Sequence, residues 1–372
     1  MRAIRLLQLS VLTLVFGLPR HPLCAQTGYV MIDLGTLGGP ASTANGINEA
    51  GQVVGIAQLP TGEERGFIWS GGVMTALEPL GGNRSQAHGI NDAGVVVGAA
   101  SARSGGPPRP TRWVNGVPAD LGTFGGPAGS AYGINNRGWI VGSAAVASGT
   151  PHAFLYSNGE LEDLGTFGGV ASGAVSINES GLVVGSFQTS RGSIAGGAFL
   201  YDRSVEGVTL ESFGGEASMA TAIGDSGVIV GVSKNSSGFD RAFRTETAAA
   251  GPILDLGSLG GNRNAALGVD GSGRIVGTSG TASGRAFLYA DGVMTDLNTV
   301  TLGAEGWILT FARALNSRGW IAATGRSPAG PPRAVLLLPR NAATSALTNL
   351  SVRAGLRASE PLIAGVVIAG AG

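Results

Sequence analysis

The 372-residue sequence predicts an all-β fold built from repeated four-stranded units, and three observations predict it. The first is composition: 65 glycines with only 13% charged and 6% aromatic residues make a turn-rich, apolar chain, short of the long charged side chains that decorate helices. The second is a phrase of apolar residue, Asn, two variable residues and Gly, followed by a β-branched run. It reads "INEAGQVVG" from Ile47, "INDAGVVVG" from Ile90, "INNRGWIVG" from Ile134 and "INESGLVVG" from Ile177, with degraded forms from Ile223, Val269 and Leu315. The steps are 43, 44, 43, 46, 46 and 46 residues, the size of one propeller blade. The third lies at the two ends, where an orphan strand precedes the first copy and a strand is missing after the last. Together these point to a seven-bladed β-propeller of four-stranded blades over residues 29–339, its ring closed by the N-terminal strand completing the last blade.

The elements follow in chain order. Arg2 and Arg5, an apolar run from Leu6 to Leu18 and the small residue Ala25 have the layout of a secretory signal over residues 1–25, too short in its apolar part for a membrane span. The lone cysteine, Cys24, lies inside that segment, so cleavage after Ala25 leaves neither disulfides nor thiol chemistry. "YVMIDL" from Tyr29 to Leu34 is the orphan strand. Each repeat then opens on strand A, turns at Asn-x-x-Gly with Gly in the left-handed region, and continues into an apolar strand B. A loop of changing length leads to strand C, and an Asn-Gly or Asp-Gly hairpin to strand D, as in "HAFLYSNGELEDL" at 152–164. The last copy ends in "AVLLLP" at 334–339 with no good D strand after it. Pairing the orphan strand there would cover an edge that otherwise invites aggregation.

The words "HAF" at 152–154, "DLGTFGG" and "GINxxGxVVG" resemble the HAF family of bacterial extracellular repeats across residues 30–339. The resemblance implies an exported repeat protein and names no activity. "PTRWV" at 110–114 stands where "HAFLY" would, and the fifth copy has Gly224 in place of Asn. Residues 340–372 resemble the opening strands of a β-sandwich-like surface module, cut short.

"DLGTLGG" at 33–39 has the look of a phosphate loop, yet it recurs at 120–126, 163–169 and 255–261 with no Lys-Ser or Lys-Thr after it. A repeated phrase is architecture, and Asp33, Asp120, Asp163, Asp255 and Asp296 are expected to accept loop N–H groups. His21, His88 and His152 are separated in sequence, so no metal site is expected. Trp69, Trp113, Tyr156, Tyr201 and Tyr289 share one strand-C position, which argues for packing between blades over a sugar-stacking ladder.

A site on a repeated scaffold should break the repeat, and two sets of positions do so. One is the strand-A residue two before the apolar position: Asn45, His88, Tyr132, Val175, Thr221, Leu267 and Arg313. The other is the uneven B-to-C loop. The ligand-binding candidates from the two sets are His88, Tyr132 and Arg313, and Arg65, Arg103, Arg109 and Arg191. Lys plus Arg equals Asp plus Glu at 24 each and no basic run occurs, so nucleic acid is not an expected partner. The expectation is an exported, non-catalytic, monomeric binding or scaffolding module of the bacterial envelope or exterior. It would meet a surface protein or glycan and carry no cofactor. The alternatives are a polysaccharide hydrolase or lyase and a purely structural segment of a larger surface protein.

Overall fold

A computed structural model describes residues 28–340, apart from 191–195, 205, 246–250, 281–282 and 328–329. The expected leader, Arg191 and residues 341–372 lie outside the described residues.

The described residues are all-β, with one helical turn among them, Leu297–Val300, capped by Asp296. Strands follow one another as antiparallel A-B-C-D meanders. In unit 1 they are Ser42–Ile47, Val53–Gln58, Glu64–Ser70 and Val73–Leu77; in unit 2, Ser85–Ile90, Val96–Ser101, Pro108–Val114 and Val117–Asp120. Units 3 to 6 repeat the order from Gly125, Ala171, Gly214 and Arg263. Unit 7 has Ile308–Leu315, Ile321–Arg326 and Pro332–Pro339, and its fourth strand is Tyr29–Asp33. That strand pairs antiparallel with the C strand from Tyr29 opposite Pro339 to Asp33 opposite Val335.

Each Asn-x-x-Gly turn is closed by its own side chain. Asn48 Oδ1 accepts the Gln52 N–H at 2.9 Å, and Gly51 donates to the Asn48 carbonyl with φ +80°. The same asparagine also reaches outside its unit. Asn48 Nδ2 donates to the Asn91 carbonyl (3.1 Å), Asn91 to Asn135 (3.2 Å), Asn135 to Asn178 (3.0 Å) and Asn178 to Gly224 (3.2 Å). Gly224 has no side chain to continue the series, although its turn keeps its backbone bonds. In unit 6 an acceptor-only Asp270 replaces Asn, and Arg274 donates to the Asn316 carbonyl instead, at 3.3 Å. Asn316 then donates to the Asn48 carbonyl at 3.1 Å.

Two further links recur. A serine at the start of strand A accepts an N–H from the C strand of the preceding unit: Ser85 from Gly66, Ser172 from Ala153 and Ser218 from Ala198. Ser42 accepts the Ala334 N–H at 2.9 Å in the same way. In five units a side-chain oxygen in the turn, of Glu49, Asp92, Asn136, Glu179 or Asp225, takes an N–H from the preceding unit, as Asp92 does from Glu49 and Glu49 from Ser317 at 2.8 Å. Units 7 and 1 are therefore joined by the same three bonds that join units 1 and 2.

The core lies between units. Val54 and Leu77 of unit 1 pack with Ala87, Val96 and Trp113 of unit 2; Leu34, Ala44, Val53 and Phe67 pack with Ala322, Ala334 and Leu336 of unit 7. Phe67, Phe154, Phe199, Phe243 and Phe287 occupy one strand-C position, and each is fully buried, contributing roughly 1.5–3 kcal/mol by removal from water. They lie over the glycine of "VVG" in strand B. Strand A shifts register opposite that glycine, as between Ala131 and Gly133, and brings a carbonyl against it. A Cβ on Gly142 would collide with the Ser130 oxygen and stand 2.6 Å from Phe154 Cε1. Unit 7 has Ala323 at this position, and its C strand carries the smaller Val335 where units 1 and 3 to 6 place Phe; unit 2 keeps the glycine, Gly98, opposite Thr111.

Candidate functional site: a central cavity lined by strand A

The strand-A residues that break the repeat are each followed by a small one: Gly46, Gly89, Gly133, Ser176, Ala222, Gly268 and Ala314. These let the A strands approach backbone to backbone. A Cβ on Gly89 would stand 2.9 Å from the Tyr132 oxygen, and one on Gly268 only 2.6 Å from that of Arg313. Strand A of units 2 to 7 converges on one cavity of about 200 Å³, where Tyr132, Val175, Thr221, Leu267 and Arg313 all form the wall. Arg313 and Tyr132, separate in sequence, are thus brought together; Val175, Thr221 and Leu267 join them although none is a binding candidate on residue type.

One wall group is already committed: Thr221 Oγ1 bonds to the Ala266 carbonyl at 2.7 Å, and at the same repeat position of unit 1, outside the cavity wall, Asn45 Nδ2 bonds to the Ala87 carbonyl at 2.8 Å, each tying one A strand to the next. Arg313 is not. Among the described residues no carboxylate pairs with it, and its guanidinium has only the Phe311 ring, 5.8 Å away. The residue is exposed, and partial burial at the cavity lowers its pKa. It stays charged nonetheless.

The His88 ring lies 5.2 Å from that of Tyr132, tilted by 45°. Burial, and secondarily the Arg313 charge, push its pKa down to about 4. The imidazole is therefore neutral at pH 7, with one nitrogen able to donate and the other able to accept. Between pH 6.5 and 4 the unfolded chain binds a proton at this position that the folded chain refuses, so stability is full above 6.5 and falls as pH drops towards 4. For a half-buried ring the loss is about 1–3 kcal/mol. Urea unfolding at pH 7 and pH 4.5 is expected to show a smaller drop for His88→Gln than for the native chain by that amount. Equal drops would place the imidazole in a solvated setting.

Two loop candidates are corrected. Arg65 is nearly covered, donates to the Asn83 and Glu64 carbonyls and lies 3.6 Å from Glu63. Arg109 pairs with Asp120. Both sit two residues before the buried strand-C position, where His152 meets Asp163, Arg241 meets Asp255, Arg285 meets Asp296 and Arg333 meets Asp33. They belong to the repeat, and the recurrent "RGF", "HAF" and "RAF" was the signal. The aspartates of that row also accept the expected loop N–H groups, at 2.8–2.9 Å for Asp33, Asp120, Asp163, Asp255 and Asp296. Arg103 sits in the exposed loop after strand B of unit 2, and no carboxylate among the described residues pairs with it. The aromatic row packs between units: Trp69 and Trp113 are buried, and Tyr201 donates from its hydroxyl to Glu162 of the preceding unit at 3.0 Å.

No family model and no curated protein matches the chain. Among solved structures it is similar to TolB from Acinetobacter baumannii, at 13% identity and TM-score 0.45, covering 65% of this chain and 62% of that one. A gluconolactonase from Xanthomonas campestris is 11% identical at TM-score 0.44, with 85% and 92% covered. The BP39L lectin from Burkholderia pseudomallei is 11% identical at TM-score 0.37, with 80% and 98% covered.

Proposed function

We infer that the seven units close into a β-propeller ring of the HAF-repeat kind, exported from the cytoplasm, and that this ring is a binding module without catalytic activity. The observation that carries the binding reading is the central cavity, where one repeat position presents a phenol, a hydroxyl, two aliphatic groups and a guanidinium from five different units. Residues that merely held the repeat together would be alike from unit to unit, as the asparagines, serines and phenylalanines largely are. Support for closure comes from the seam between units 7 and 1, which uses the same Asn, Ser and carboxylate bonds as the internal junctions. The wall of the cavity carries no carboxylate, which favours binding over acid–base hydrolysis of a glycan.

Probing glycan and surface-protein arrays with the full chain tests this. Specific hits are expected, and a hit docking on the loop face is expected to lose about tenfold in affinity, about 1.4 kcal/mol, on Arg103→Ala. Retention of every hit at unchanged affinity in this variant would remove Arg103 from the contact. Arrays without any hit would favour a purely structural repeat.

A further inference from the structure

We propose that the central cavity binds a small organic carboxylate, its charged end on the Arg313 guanidinium and its carbon skeleton against Val175 and Leu267. This rests on the reading of the cavity as a binding site and adds the chemistry of what it takes. A guanidinium that no carboxylate of its own chain engages is free to take an anion from solution through its charged, forked N–H groups. Several other arginines, Arg109, Arg241, Arg274, Arg285 and Arg333, each meet an aspartate. Arg313 has no such partner among the described residues, is exposed, and lies at a cavity whose wall holds no acid, so its guanidinium is open to an anion from solution.

The cavity narrows the class further. Its single cation suits a monoanionic head, and the planar fork of a guanidinium fits both oxygens of a carboxylate. Tyr132 supplies a hydroxyl at the same wall, while the Thr221 hydroxyl is engaged with the Ala266 carbonyl. Val175 and Leu267 add an apolar stretch that inorganic anions would not use. About 200 Å³ admits a compact acid or a single sugar acid and excludes a chain of sugars lying within the cavity.

Isothermal titration of the full chain with succinate and with galacturonate, each against its neutral counterpart, succinamide or galactose, tests the proposal. At least one acid is expected to bind, its neutral counterpart is not, and Arg313→Met is expected to weaken the acid at least tenfold while Arg313→Lys keeps part of it. A second readout uses the native chain alone, should the Met variant fail to fold. The His88 ring, faced by Tyr132 and within the field of Arg313, is expected to titrate at higher pH with the acid bound and at unchanged pH with the neutral compound. Equal binding of acid and neutral compound, or acid binding indifferent to Arg313→Met, overturns the carboxylate while leaving a binding cavity. Absence of any binding by these four compounds, with array partners still held by the loops, removes the cavity from the binding function; absence of both removes binding altogether.

Discussion

Replacing Gly142 by valine is expected to abolish soluble, folded protein, and replacing it by alanine to cost about 3 kcal/mol or more in urea unfolding. The reason is that both ways out are blocked. The added Cβ meets the Ser130 carbonyl, a backbone atom fixed by the strand-A register shift, and on its other side the ring of Phe154, itself fully buried. A flexible side chain could swing aside; a carbonyl inside a ladder cannot move without breaking its pairing. The nearby Gly138, in the Asn-x-x-Gly turn with φ +79°, supplies the contrast. A Cβ there meets nothing within 4 Å, so Gly138→Ala should cost only about 1 kcal/mol of backbone strain. Combining Gly142→Ala with Phe154→Val, the pairing that unit 7 carries as Ala323 and Val335, is expected to cost less than the two changes added separately. A Gly142→Ala protein within 1 kcal/mol of the native chain would show that strand A yields at this point.

Trp113→Ala is the second large effect, at about 3–5 kcal/mol. This indole is fully buried in the cluster shared by units 1 and 2, and its Nε1 donates to the Glu78 carbonyl at 2.8 Å, in the connection that leads from one unit to the next. Truncation opens a cavity at a junction and removes the bond at the same time. Trp113→Phe keeps most of the buried area and loses the bond, so about 1 kcal/mol is expected from it. Denaturant midpoints of the two variants separate the contributions; similar losses would put the hydrogen bond ahead of the packing.

Much of the architecture was legible from within a single repeat. The Asn-x-x-Gly turn, the apolar B strand and the Asn-Gly hairpin are local, and positive φ at Gly51 and Asn158 follows from the turn chemistry. The partner of the orphan strand was legible too, since counting C and D strands leaves one of each unmatched. What single repeats hide is what lies between them. Asn48 reads as a turn residue, and nothing next to it in sequence announces that Nδ2 serves Asn91, 43 residues on. Gly142 reads as a weak point in a strand until the bulge opposite it is known. Arg109 stood out as a loop charge because the aspartate that answers it, Asp120, lies on a different strand, and Arg65 because the Asn83 carbonyl that it reaches lies 18 residues on. The asymmetric strand-A position was found by comparing copies, whereas its convergence on one cavity depends on the small residue that follows, such as Gly133 or Ala222, whose importance shows only where neighbouring backbones meet.

The seam between first and last strands has a mechanical corollary. Arg340 donates its N–H to the Gly28 carbonyl at 2.9 Å, so residues 28 and 340 lie side by side at one end of that ladder. Tension applied between these two residues would open the Tyr29–Asp33 pairing with Pro339–Val335 one rung at a time, in unzipping and not in shear.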